Sequence, residues 1–208
     1  ALAELTLYET TILYCSFNGT SDYEACESNT VTVTFVVPLY APLLDGSESK
    51  YQITGSTTIA NGEMYGGSAY LTTGWDNTGN WKLTYQQLAE SAGCGVYLKL
   101  PNSTRRDYDE ILIAQQVQNE GIVPYIYTGS RVTIEDRQTF KQFNQFNKWY
   151  DVTITKISNS TFTLEINDGI TTLSNTYTSN ILSNSQLCIG VDSWGGISHI
   201  KNIIVEPV

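Results

Sequence analysis

Apolar and polar residues alternate with a period of two along most of the chain, and each such run predicts a β-strand with one buried face. "TILYCSF" places Leu13, Cys15 and Phe17 on one side, and "NTVTVTFVV" does the same with Val31, Val33, Phe35 and Val37. The turn-like "NGTSD" between them makes residues 11–37 a hairpin. Further on, "NWKLTYQQL" alternates Trp81, Leu83 and Tyr85 against Lys82, Thr84 and Gln86, and "GCGVYLKL" sets Val96, Leu98 and Leu100 against Tyr97 and Lys99. "EILIAQQV" reads as a short buried strand, and "GIVPYIYTG" as a strand that Pro124 confines to an edge or bend. Residues 148–178 predict a three-stranded meander: 149–157, a Ser-Asn-Ser-Thr turn, 161–166 with Phe162, Leu164 and Ile166 inward, an Asn-Asp-Gly turn, and 170–177. The last strand spans 197–206. Ile200 and Ile204 fall on one of its faces and Ile203 and Val205 on the other, as expected of a strand covered on both sides. Residues 135–148 space Phe140, Phe143 and Phe146 three apart, but their Asn and Gln support little helix, so they read as loop with one turn. About a dozen short strands without helical periodicity predict an all-β sandwich or jelly roll of antiparallel strands.

Composition agrees. Charged residues are only 15% of the 208, against 14 Tyr and 4 Trp, and the net charge is −10. That is the balance of an extracellular β-protein, and it excludes a phosphate-binding basic face, hence nucleic acid, and attraction to anionic membranes. There is no apolar run near 18 residues, no signal peptide and no lipidation motif. Residue 1 already reads as folded material, so the expectation is a mature or excised form. "PLYAPLLDGSESK", with two prolines, a glycine and mixed charge, places a linker at 39–49, between a segment at 1–38 and a domain at 50–208.

The four cysteines are Cys15, Cys26, Cys94 and Cys188, and three connectivities are open if all pair. A turn centred between Thr20 and Ser21 would set Cys15 opposite Cys26, within reach of a bond. No C-x-x-C occurs and His199 is the single histidine, which argues against structural zinc.

Two resemblances follow from quoted segments. "FNGTSDYEACESNTVTVTF" resembles the end of a bacterial or archaeal Ig-like repeat; Thr20 stands where that family often has Asp, and Cys26 where it often has Ser. An Ig-like sandwich needs about seven strands, so residues 1–38 supply only its last ones. "NGEMYGG", "GNWKLTY", "KWYDVTITK…FTLEINDG" and "IGVDSWGGISHIKNIIVEP" resemble the concanavalin A-like lectin/glucanase jelly roll in its laminin-G-like form, across residues 44–208. The pairing of the two implies an adhesin-like surface protein of methanogenic archaea or a viral tail-fibre module.

The glucanases of that superfamily carry Glu, a hydrophobic residue, Asp, one or two residues, then Glu on one strand, so that two carboxylates stand about 5–5.5 Å apart. That pattern is missing. "RDYDEILIA" offers Asp107 and Asp109 on one face with Glu110 turned away, and reads as a charged loop before a strand. Asp192, Ser193 and His199 fall in one turn-and-strand unit without a G-x-S-x-G elbow, so they are not read as a hydrolase triad. Laminin-G-like domains often hold one Ca²⁺, for which Asp76, Asn77, Asn80 and Asp192 are the candidate oxygens, too sparse to make the ion an expected cofactor. Trp75 and Trp194 sit in Gly/Asp-rich turns, where they either cover the ends of the sandwich or stack against a sugar. The candidate ligand-binding residues are Trp75, Asp76, Asn77, Asp192 and Trp194, with Tyr65, Tyr125 and Tyr127 as further aromatics. The expected function is a non-catalytic extracellular or cell-surface module binding a glycan or surface protein, with a homo-oligomer open. A virion structural or receptor-binding domain is the alternative, and an atypical glycoside hydrolase the third reading.

Overall fold

The computed structural model describes residues 38–42, 44, 57–101, 110–115 and 120–208 in full, and for 11–13, 16–17, 26–27, 31–33 and 51–53 it describes backbone pairing. The chain divides into two compact units, 1–38 and 39–208.

In the first unit β1 (Thr11–Leu13) pairs antiparallel with β4 (Val31–Val33), and β2 (Ser16–Phe17) with β3 (Cys26–Glu27). Cys26 faces Phe17 across the ladder. The turn is therefore centred one residue later than the sequence suggests, and Cys15, the proposed partner of Cys26, lies outside the described residues.

The second unit is a sandwich of two antiparallel sheets. β5 (Tyr51–Ile53), β8 (Ala69–Leu71), β11 (Cys94–Lys99), β12 (Glu110–Gln115), β13 (Ile122–Thr128), β14 (Arg131–Glu135) and β18 (Gln186–Ser193) form one, in the order β14-β13-β12-β11-β18-β8-β5, and β9 (Trp75–Asp76) pairs with the start of β18. β6 (Thr58–Ala60), β7 (Glu63–Gly66), β10 (Trp81–Ala89), β15 (Tyr150–Lys156), β16 (Thr161–Asn167), β17 (Thr172–Thr178) and β19 (Ser198–Pro207) form the other, in the order β17-β16-β15-β10-β19-β7-β6. Non-sequential neighbours in both sheets give the jelly-roll winding. The sheet carrying β11 and β18, with β9 at its side, is called the eight-stranded sheet below, and the other the seven-stranded sheet. The meander β15-β16-β17 is the one the alternation predicts.

The core lies between the sheets. Trp81, Leu83 and Tyr85 of β10 and Phe162, Leu164 and Ile166 of β16 meet Val96, Leu98, Ile111, Ile113, Ile189 and Val191 from the opposite sheet. The segment read as a linker contributes to it. Leu44 is buried, and Tyr40 bridges Val205 while its ring lies 5.8 Å from that of Trp75. Residues 136–149 hold no helix and instead drop Phe140 and Phe143 into the core.

Two expectations about strands change for local reasons. Pro124 sits within β13, which is bonded on both sides. Its carbonyl accepts from Asp136 N–H on the β14 side. A strand residue's N–H and C=O point the same way, so the missing N–H falls opposite Asp136, just beyond the end of β14, and costs no bond within that strand's ladder. β19 is not covered on both sides: Asn202 and Ile203 together face Tyr85 of β10 in a β-bulge, with Asn202 at φ 54°. The extra residue resets the alternation, so Ile200, Ile203 and Val205 all point inward while Ile204 is exposed.

Asp136 ties its loop to edge strand β17. Burial works against its charge, but the side chain and N–H of Thr139, the Tyr177 hydroxyl (2.6 Å) and Gln138 N–H outweigh that and hold the carboxyl well below its usual value. A depressed carboxyl stabilises the fold above its unfolded pKa, about 4, and the contribution disappears as pH falls towards the folded value. Asp136→Asn is expected to lower Tm by about 3–6 °C at pH 7, with the gap to wild type narrowing between pH 4 and 2 without closing there. Thermal melts across that range test it; a gap independent of pH contradicts it.

Candidate functional site

The residues expected to bind ligand do not form one site. β9 fixes Trp75 opposite Leu187 and Asp76 opposite Gln186, at the start of β18, whereas Asp192 and Trp194 lie at its other end. Six residues of strand, about 20 Å, separate Asp76's partner from Asp192. Trp75 is 1% exposed, packed edge-to-face on Trp81 at 5.4 Å, so it belongs to the core. Asn77 is buried as well: its amide donates to the carbonyls of Leu182 (2.9 Å) and Asn184 (2.7 Å), and its Oδ1 accepts from Trp81 Nε1 (2.6 Å). The buried Lys156 ammonium donates to Asn77's main-chain and side-chain oxygens. Burial pulls the Lys156 pKa down, and Asp76 offsets part of that. Asp76 caps Thr78 N–H, and Asp192, buried, accepts from Ser68. The four oxygens considered for Ca²⁺ therefore do not converge, and among the described residues no three His, Cys, Asp or Glu side chains are grouped to hold a metal.

The hydrolase triad is not assembled either. His199 points from the outer face of the seven-stranded sheet, its two ring nitrogens on Glu63 and Glu90, while Asp192 belongs to the other sheet. Cys94 and Cys188 are free and buried. Cys188 pairs with Lys99, five residues along β11 from Cys94, or about 17 Å, so the two cannot join.

What the fold does gather lies on the outer face of the eight-stranded sheet. A second apolar cluster sits there: Tyr70, Tyr97, Leu112, Ala114, Val123, Tyr125, Tyr127 and Cys188. Register lines these side chains up in rows across the strands. Gly190 faces both Tyr70 and Tyr97, Tyr97 faces Leu112, Leu112 faces Tyr125, and Tyr125 faces Glu135. Glycine at 190 is required, since a Cβ there would lie 2.3 Å from Ala69 O and 2.6 Å from Tyr70 Cβ. Lys99 and Glu110 are buried at neighbouring positions on this face, with the Lys99 ammonium 3.6 Å over the Tyr70 ring. The Tyr97 hydroxyl is kept protonated, mostly by burial and then by the Asp192 carboxylate.

Glu110 opens β12 on this face. The outward residues of β12 are Glu110, Leu112 and Ala114, because Ile111 and Ile113 enter the core. One carboxylate is therefore followed by two apolar side chains. Asp107 and Asp109 lie outside the described residues.

At one end of this face stands Trp194, 43% exposed. Its turn is held by Ser193 Oγ, which accepts from Gly196 N–H at 2.9 Å, and by Trp194 N–H donating to Gly93 O at 3.1 Å. The indole lies over Gly93, 3.2 Å from where a Cβ would stand, and meets Tyr125 edge-on at 6.3 Å. Burial, and next the charge of Glu135, push Tyr125 up to about 12, so its hydroxyl is a donor. Glu135 and Glu120 both hold Arg137, about half of whose side chain is exposed. An open indole, a tyrosine edge and an exposed carboxylate–guanidinium group thus adjoin. Sequence reading found Trp194, Tyr125 and Tyr127 but not Glu135 or Arg137. The hairpin of "YIYT" with "RVTIE" was legible, but the register of its turn would set Ile134 opposite Tyr125; an irregularity between Ile126 and Tyr127 brings Glu135 there instead.

No family model matches the chain, and no curated protein matches it in sequence. Solved structures do match in fold. One, reported with endo-acting O-glycanases of the human gut microbiota that initiate mucin breakdown, has a TM-score of 0.61 at 10% identity, covering 82% of this chain and 99% of its own. The legume lectin-like domain from Entamoeba histolytica gives 0.56 at 13%, over 84% and 100%. A carbohydrate-binding module from Bacillus subtilis gives 0.51 at 11%, over 77% and 97%. At such identities the likeness is one of architecture. The chain has the concanavalin A-like, legume lectin-like jelly-roll fold.

Proposed function

We propose that residues 39–208 form a non-catalytic carbohydrate-binding module of an extracellular protein, taking a glycan at the Trp194 end of the outer face of the eight-stranded sheet. The observation that carries this is Trp194, an exposed indole fixed by its turn beside Tyr125 and the Glu135–Arg137–Glu120 group. A pyranose presents an apolar C–H face and a ring of hydroxyls; the indole suits the first and the ion-paired side chains the second. Fold neighbours that are lectins and carbohydrate-binding modules support the same reading. Retaining hydrolysis needs two carboxyl groups about 5–5.5 Å apart, and the outward positions of β12 after Glu110 are Leu112 and Ala114. The N-terminal unit, as the end of an Ig-like repeat, would join the module to the rest of a surface protein.

A glycan array with the full chain tests the proposal, alongside reducing-sugar release from the glycans bound. Saturable binding without release is the expected result. Release that Glu110→Gln abolishes would make the chain a hydrolase, and no binding to any glycan would remove the reading.

A further inference from the structure

The outer face of the seven-stranded sheet carries an open depression. Its floor is Thr84, Gln86, Asp151, Thr153, Asn202 and Ile204, and the shallow space over them amounts to about 340 Å³, at the low end of the volumes usual for small-molecule sites. The bulge in β19 creates it: Asn202, in the left-handed region, is lifted out of the alternation and brought beside Gln86. The three polar side chains form a chain, Asn202 Nδ2 donating to Gln86 Oε1 (2.9 Å) and Gln86 Nε2 to Asp151 Oδ1 (2.7 Å). Each keeps capacity to spare: an amide hydrogen on Gln86, Oδ2 of Asp151 and Oδ1 of Asn202. The methyl groups of Thr84 and Thr153 and the exposed Ile204 supply apolar surface beside them.

One row along the same strands lies an aromatic border. Tyr65 stacks on His199 (5.3 Å, 10°), Trp149 stands edge-on to His199 at 6.2 Å, and Lys201 lies 3.8 Å over the Trp149 ring. Glu63 and Glu90 hold His199 from both sides. With Asp151 facing the depression and Glu63 and Glu90 beside Lys201 and His199, carboxylates outnumber the lysine, which disfavours an anionic ligand.

We infer that this depression is a second binding site, for a neutral sugar ring, on the sheet opposite Trp194. Amides that donate and accept and a carboxylate that accepts, over an aliphatic floor and next to an aromatic border, match a hydroxylated ring. The inference does not depend on the first site. If both hold, one module engages two glycan chains.

The test is an amide-shift titration of the isotopically labelled chain with the methyl glycosides of glucose, galactose, mannose and N-acetylglucosamine, each to about 100 mM, enough to load a millimolar site. Saturable shifts at the amides of Gln86, Asp151, Asn202 and Ile204 are expected with at least one glycoside. Asp151→Ala should weaken them at least ten-fold, and Trp194→Ala should leave them unchanged. Asn202→Gly keeps the left-handed backbone and deletes the amide side chain, so it should weaken binding with the bulge intact. No saturable shift with any of the four, shifts that persist in both Asp151→Ala and Asn202→Gly, or shifts that vanish in Trp194→Ala would each overturn the second site.

Discussion

Asn77→Ala is expected to destabilise the sandwich by about 3–5 kcal/mol, a fall in Tm near 10 °C. The side chain is 1% exposed and bonds the Trp81 indole N–H and the carbonyls of Leu182 and Asn184. It also accepts from the buried Lys156 ammonium through Oδ1. Alanine deletes this hub at once, leaving a buried amine short of an acceptor and an indole N–H with none, and each unsatisfied group carries its own desolvation penalty. Lys156→Met separates the charge from the network. It removes the ion while keeping the stem's volume, so it should cost little, and in the Asn77→Ala background it should recover stability. Melting the two single variants and the double variant decides it. If Lys156→Met is as damaging alone as Asn77→Ala, the ammonium is a net stabiliser and the account fails.

Glycan affinity should fall roughly thirty-fold in Trp194→Ala and in Tyr125→Ala, about 2 kcal/mol each. Trp194 is exposed and fixed by the Ser193–Gly196 turn, so its truncation removes a stacking surface and leaves the core untouched. Tyr125 supports the indole edge and donates to Glu135, so Tyr125→Phe keeps the edge and should lose only about three- to ten-fold. Trp75→Ala is the contrasting variant. Its ring is wedged between Tyr40 and Trp81, and its loss should cost about 3–5 kcal/mol of stability while the folded fraction keeps its affinity. Titration calorimetry with the strongest array glycan reads all four variants. Full affinity in Trp194→Ala would dismiss the site.

The contrast between the two tryptophans shows where the sequence stops being informative. Strands such as Trp81–Ala89 and the 150–178 meander are written in their alternation, because one buried face imposes a period of two. In the sequence Trp75 and Trp194 both read as turn residues flanked by glycine and aspartate, and nothing local distinguishes them. Pairing of β9 with β18, a contact over a hundred residues apart, buries the first; the second is left at the far end of β18. The bulge at Asn202 did leave a trace, apolar residues on both faces of β19, but covering from both sides would write the same pattern.

The two cysteines of the sandwich carry a consequence of another kind. Cys94 and Cys188 are buried thiols on β11 and β18, too far apart to join, and burial pushes Cys188 up to about 12, far from the thiolate that oxidants attack. No covalent staple holds residues 39–208 together. This unit should therefore reach the same folded state in a reducing medium as in an oxidising one.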